Sequence, residues 1–157
     1  MLASCQKGQP RLSDSIKPDL DSLWISQINF LMQSKATLEK EIMMNDSSEV
    51  ATTKPKDSLA WANELEILHA IRNLQLASNL PLYDKKVYKD TSSNLVVTAY
   101  TATKKLQLES LKIFKTQENL LKKIEADFLE QNILLATEKK LSLFFSEVNN
   151  KNVLTSY

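Results

Sequence analysis

Glycine is almost missing from this chain: one residue in 157, at Gly8. Glycine is the default residue where the backbone takes positive φ, so its absence argues against a hairpin-rich β fold and against a phosphate-cradling loop. Cysteine also occurs once, at Cys5, which excludes an internal disulfide and with it a disulfide-stapled secreted scaffold. Histidine occurs once, at His69. A metal site or a general base needs partners, and no second histidine and no nearby cysteine stands beside it, so His69 reads as a structural or surface residue. No apolar run reaches the length of a membrane-crossing helix. The formal net charge is +1, which gives no electrostatic case for nucleic acid or an anionic membrane.

What is present is apolar residues at helical spacing. The hydrophobic share of 43% and charged share of 25% are those of a folded domain. The stretch 93–148 contains neither Gly nor Pro and reads as one helix, opened by the capping run Thr91, Ser92, Ser93 and Asn94 and closed at Asn149-Asn150. At 1.5 Å per residue it would span roughly 84 Å, about twice the diameter of a compact domain of this length. Leu106, Ile113, Leu120, Leu134, Leu141 and Val148 form a row at intervals of seven, interrupted by Asp127, and Tyr100, Phe114, Leu121, Phe128 and Leu135 form a second row beside them. With these rows as heptad positions d and e, position a is Ser110, Gln117, Ile124, Gln131, Glu138 and Phe145, mostly polar, so the wide apolar stripe on the d and e side suits a bundle better than a two-stranded zipper. Glu118 precedes Lys122 by four, the favourable order for a helical ion pair, and the remaining charges are of mixed sign.

The rest of the chain divides around that helix. Residues 1–16 read as a flexible tail. Leu2-Ala3-Ser4-Cys5 resembles a lipoprotein cleavage site, but a basic start and an apolar run before it have no room, so it is not expected to act as one. Residues 17–45 read as helix one, with Pro18 at its start and Trp24, Ile28, Leu31, Leu38 and Ile42 on one face. Residues 46–57 are a linker broken by Pro55, 58–80 are helix two with Trp61, Leu65, Leu68 and Ile71, 81–92 connect, and 149–157 are a C-terminal tail.

The expectation is therefore an all-α fold, with two shorter helices and one long C-terminal helix, extended rather than globular. The expected function is a non-catalytic structural subunit of a heteromeric coiled-coil or helical-bundle complex, and the alternative is a self-contained helical bundle that binds a partner helix or peptide. In length and lack of motifs the chain resembles small helical subunits of eukaryotic assemblies such as the inner kinetochore, which implies an intracellular, nuclear or cytoplasmic, setting. Its interaction residues would be Leu106, Ile113, Phe114, Leu120, Leu121, Ile124, Phe128, Leu134, Leu135, Leu141 and Phe145. Other helical subunits are the expected partners. No cofactor, no metal, no membrane span and no sequence-specific nucleic-acid binding are expected.

Overall fold

The computed structural model describes residues 20–44, 47–66, 71–72, 74, 79–131 and 136–157. The tail expected over 1–16, Cys5, His69, Leu134 and Leu135 lie outside the described residues. In chain order the elements are helix α1 (Leu20–Gln33), strands β1 (Leu38–Met44) and β2 (Ser47–Thr53), helix α2 (Ser58–Glu64) and a 3-10 turn (Leu80–Leu82). There follow β3 (Tyr83–Lys89), β4 (Val96–Ala102), β5 (Leu108–Lys115), β6 (Leu121–Gln131), β7 (Ala136–Val148) and β8 (Lys151–Ser156). Strands β3 to β8 form one six-stranded antiparallel sheet in sequence order, and β1 and β2 form a separate hairpin.

The all-α expectation is overturned. The stretch read as one helix is β4 to β7, four strands of a single meander. Two physical features decide this. The apolar residues alternate along the strands: Leu111 and Ile113, then Ile124, Ala126 and Phe128, then Leu141, Leu143 and Phe145 are buried, each separated by one residue of the opposite face. They also stand in rows across the sheet, with Tyr100, Leu111, Ala126 and Leu141 directly opposite one another in succession, and Ile113, Ile124 and Leu143 in the next row. A long helix would have left this surface to a partner; the sheet closes it within one chain.

The turns explain how a chain almost without glycine makes hairpins. Asn94, Asn119, Asn149 and Asn150 all sit at positive φ, between 50° and 68°. Asparagine tolerates this region because its short side chain bonds to nearby backbone. Asn149-Asn150 is the two-residue loop between β7 and β8, with both residues left-handed as a type I′ turn requires. In the β5–β6 turn Thr116 N–H donates to Leu120 O at 2.9 Å and Asn119 N–H to Thr116 O at 3.0 Å.

Helix α1 occupies only the first part of the stretch expected as helix one. It ends because Lys35 turns left-handed at φ 52°, while Ala36 N–H donates to Leu31 O and Lys35 N–H to Met32 O, both at 3.0 Å. This is a Schellman cap with lysine at the position glycine usually takes. Helix α2 is one short segment started by Asp57, whose Oδ1 accepts from Ala60 N–H at 2.8 Å.

Both helices lie on one face of the sheet. Leu20, Trp24 and Ile28 of α1, with Trp61 of α2 and Leu65 just after it, meet the buried rows of β4 to β8. Fully burying a leucine such as Leu65 or Leu111, both at 0% exposure, contributes roughly 1.5–3 kcal/mol. Register shifts between Leu108 and Ser110, between Phe114 and Lys115, and between Phe144 and Phe145 let the sheet twist around these helices.

Candidate functional site

Of the residues expected to meet partner helices, Ile113, Leu121, Ile124, Phe128, Leu141 and Phe145 are buried in the chain's own core. They serve folding and are covered by α1, α2 or neighbouring strands. Leu106 is half-buried in the β4–β5 connection. Phe114 is likewise half-buried on β5, and among the described residues of this set Leu120 alone, in the β5–β6 turn, is exposed. A coiled-coil subunit, its kinetochore placement included, and the self-contained helical bundle both require a helix presenting this stripe. No such helix exists among the described residues, so both readings are corrected by the sheet.

The face of the sheet away from the helices has two unlike ends. At one end Phe114, Lys123 and Phe144 stand opposite one another on β5, β6 and β7. The Lys123 ammonium lies 5.5 Å from the Phe114 ring and 5.1 Å from the Phe144 ring, and 2.5 Å from the Glu125 carboxylate. At the other end an open hollow of about 490 Å³ is lined by charges of both signs, among them Lys104, Lys105, Lys140, Glu109 and Glu138. Within it Ser110 Oγ donates to Asp127 Oδ2 at 2.6 Å. Among the described residues no group of three or more His, Cys, Asp or Glu is gathered as a metal site would need.

The two edges of the sheet differ more sharply still. At the β8 edge the Gln27 side chain reaches across from α1. Its Nε2 donates to Asn152 O at 2.8 Å, and Leu154 N–H donates to its Oε1 at 2.7 Å. Residues two apart on a strand point their backbone groups the same way. The Gln27 amide therefore supplies the donor and acceptor that a neighbouring strand would supply. Gln27 is buried, and the nearby Asn152 side chain donates to Leu121 O at 3.0 Å, tying β8 back to the start of β6.

Among the described residues the β3 edge has no such cover. Thr103 N–H donates to Leu82 O at 2.9 Å, and Asp90 N–H to Leu95 O at 2.8 Å. Even-numbered residues between these points thus turn their backbone groups toward β4, and odd-numbered residues turn theirs outward. Tyr83 N–H is used locally by Leu80 O. Lys85, Val87 and Lys89 point theirs away from the sheet, and among the described residues β3 pairs with β4 only. The strand is exposed from Asp84 to Lys89 and runs seven residues in continuous register without a bulge.

Both ends of β3 are held. Tyr83 Oη donates to Leu108 O at 2.9 Å, and burial pushes this phenol's pKa up. At the other end the Asp90 carboxylate accepts from Ser93 and Ser92, hydroxyls and backbone N–H alike. The Ser93 hydroxyl first, then that of Ser92, holds Asp90 below the usual carboxylate range. The edge is a fixed, straight template.

No signal read as helical points to this strand. Tyr83-Asp-Lys-Lys-Val-Tyr-Lys89 reads in the sequence as part of the connecting segment 81–92, its apolar residues standing among charges. The Val87 and Tyr88 pair beside lysines was the available hint of an edge strand. No protein-family model, no curated protein and no solved structure matches this chain. No helix among the described residues is long and apolar enough to cross a membrane.

Proposed function

We propose that this chain is a non-catalytic binding module that takes up an extended segment of another protein along β3, adding one strand to its sheet. The observation that carries the reading is the unlike treatment of the two edges. The β8 edge is filled by a buried glutamine, whereas the outward N–H and C=O groups of Lys85, Val87 and Lys89, along a regular strand, meet no partner strand among the described residues. Main-chain pairing at such an edge supplies affinity, and the side chains flanking it supply selectivity. Binding rather than catalysis is favoured by the side chains that cluster on the open face. They are lysines, phenylalanines and carboxylates, and the Ser110 hydroxyl donates to Asp127, whose cross-strand neighbour Lys140 offers a cation for charge pairing.

The test is nuclear magnetic resonance on the full chain, titrated with short β-prone peptides of acidic, neutral and basic composition. Docking of any of them is expected to shift the amide signals of residues 84–89 and to slow hydrogen exchange at Lys85, Val87 and Lys89. If no peptide perturbs those amides, strand addition at β3 is wrong.

A further inference from the structure

Resting on that reading, we infer that the segment β3 receives is acidic, with carboxylates placed opposite Lys85, Lys86 and Lys89, and that it comes from a different protein and not from a second copy of this chain. β3 carries those lysines against the single acid Asp84, all exposed, in a chain whose total net charge is +1. The excess of positive charge is thus local to the edge.

Self-pairing fails on register. Two copies joined antiparallel, edge to edge, by a twofold axis normal to the sheet keep the same face upward, so residues opposite each other share parity. The register that overlaps the whole strand sets Lys86 against Lys86. Shifting the centre to Lys85 opposes Lys85 to itself, and shifting it to Val87 opposes Lys85 to Lys89 on both sides. Like charges directly opposite are destabilising. Each register that pairs most of the strand therefore contains a lysine–lysine contact, whereas an acidic strand meets none.

The lysines could instead serve only to keep strands away, as they do on many edges. A purely protective edge has no use for exposed apolar side chains, yet Val87 is 44% and Tyr88 46% exposed, between Lys86 and Lys89. The strand also has no bulge or proline to spoil pairing. Apolar contact surface with flanking positive charge fits selection of a partner. Lys85, Val87 and Lys89 lie on the helix side of the sheet, and Asp84, Lys86 and Tyr88 on the open side. Every ladder in the sheet is antiparallel. A partner entering antiparallel thus reads acid, apolar, apolar, acid, acid from its N-terminal end, opposite Lys89 down to Lys85.

The experiment compares three capped peptides on the labelled full chain: Glu-Tyr-Val-Glu-Glu-Thr, its counterpart with Gln for each Glu, and its counterpart with Lys for each Glu. The acidic peptide is expected to bind about tenfold more tightly than the Gln form, from three cross-strand charge pairs, and to weaken as salt rises. In a Lys85→Glu, Lys86→Glu, Lys89→Glu variant the preference should invert toward the Lys peptide. Unchanged amide signals outside β3 would show that the variant is folded. Equal affinity for the three peptides at β3 would overturn the acidic partner while leaving strand addition intact. Failure of all three to reach β3 would remove both. A concentration-dependent dimer in sedimentation, with β3 amides protected in the absence of peptide, would make a second copy the occupant and overturn the inference.

Discussion

The β8 and β3 edges are built from the same backbone and end the same sheet, yet one is closed and the other open. At β8 a buried side-chain amide stands in for a neighbouring strand, and the helix that carries it packs over the sheet. At β3 the strand is exposed from Asp84 to Lys89, and charge stands where the described residues give no cover. A sheet edge is an association hazard unless it is paired, covered or charged. This molecule uses cover at one end and charge at the other, and only the charged end keeps its hydrogen-bonding groups available to a partner.

The largest expected effect comes from opening the closed edge. Gln27→Ala strands Leu154 N–H and Asn152 C=O without their partner; Leu154 is buried and Asn152 half-buried. Leaving a buried donor or acceptor unsatisfied costs about 1–3 kcal/mol, so the substitution should lower stability by about 3 kcal/mol in urea unfolding. It should also add self-association through β8. An unchanged midpoint with a monomeric profile would show that the glutamine is not what closes that edge.

Next is the turn that presents β8. Asn150→Ala forces alanine into the left-handed region at φ 59° and should cost roughly 1–2 kcal/mol, while Asn150→Gly should be neutral or slightly stabilising. Equal melting temperatures for the Ala and Gly variants would contradict the strained-turn account.

At the open edge the effect on stability should be small and the effect on binding large. Val87 points its N–H outward, so Val87→Pro removes no bond of the β3–β4 ladder and should cost less than about 1 kcal/mol. The same change deletes a donor from the docking edge and should abolish peptide capture. A variant that binds like the parent would break the proposed role of β3.

The smallest effect concerns pH. Asp90 is held below its usual pKa by Ser93 and Ser92, so its contribution to the β3–β4 turn is present above the ordinary value near 3.8 and is lost as pH falls through the lowered value. Asp90→Asn should flatten a slight acid-side loss of order in β3, read as faster hydrogen exchange there below about pH 4. Identical exchange profiles for the two proteins would remove Asp90 as the anchor.

The helical reading failed for a specific reason. A spacing of seven suits a helix face, and Leu141 and Val148 have it, but seven is odd, so on one strand they point to opposite faces. Leu141 is 6% and Val148 38% exposed, both in β7. The two-residue alternation of Leu141, Leu143 and Phe145 was equally visible and was the correct period. Turn chemistry was misread as well. The scarcity of glycine argues against a hairpin-rich fold only if glycine must supply the positive φ; here asparagine supplies it, and Asn149-Asn150 is a hairpin loop where the helical reading puts a helix end. The candidate edge was the least legible part, because an exposed, charged strand carries little apolar pattern and is recognised by the neighbour it lacks.

Sequence alone determined which residues are apolar, that no internal disulfide forms and that the charge is nearly balanced. It also narrowed the cap of α2 to Asp57 or Ser58, because that bond is local, and in the structure Asp57 makes it. Tertiary structure decided whether the apolar residues would face a partner or one another, since Leu111, Ile124 and Leu143 meet only through pairing across the sheet. It likewise decided which edge would close. Gln27 and Leu154 are 127 residues apart, and nothing local to either one specifies that the amide of the first will complete the backbone of the second. Local propensity acts over a few residues, whereas burial and hydrogen-bond satisfaction are settled by whatever the folded chain brings into contact.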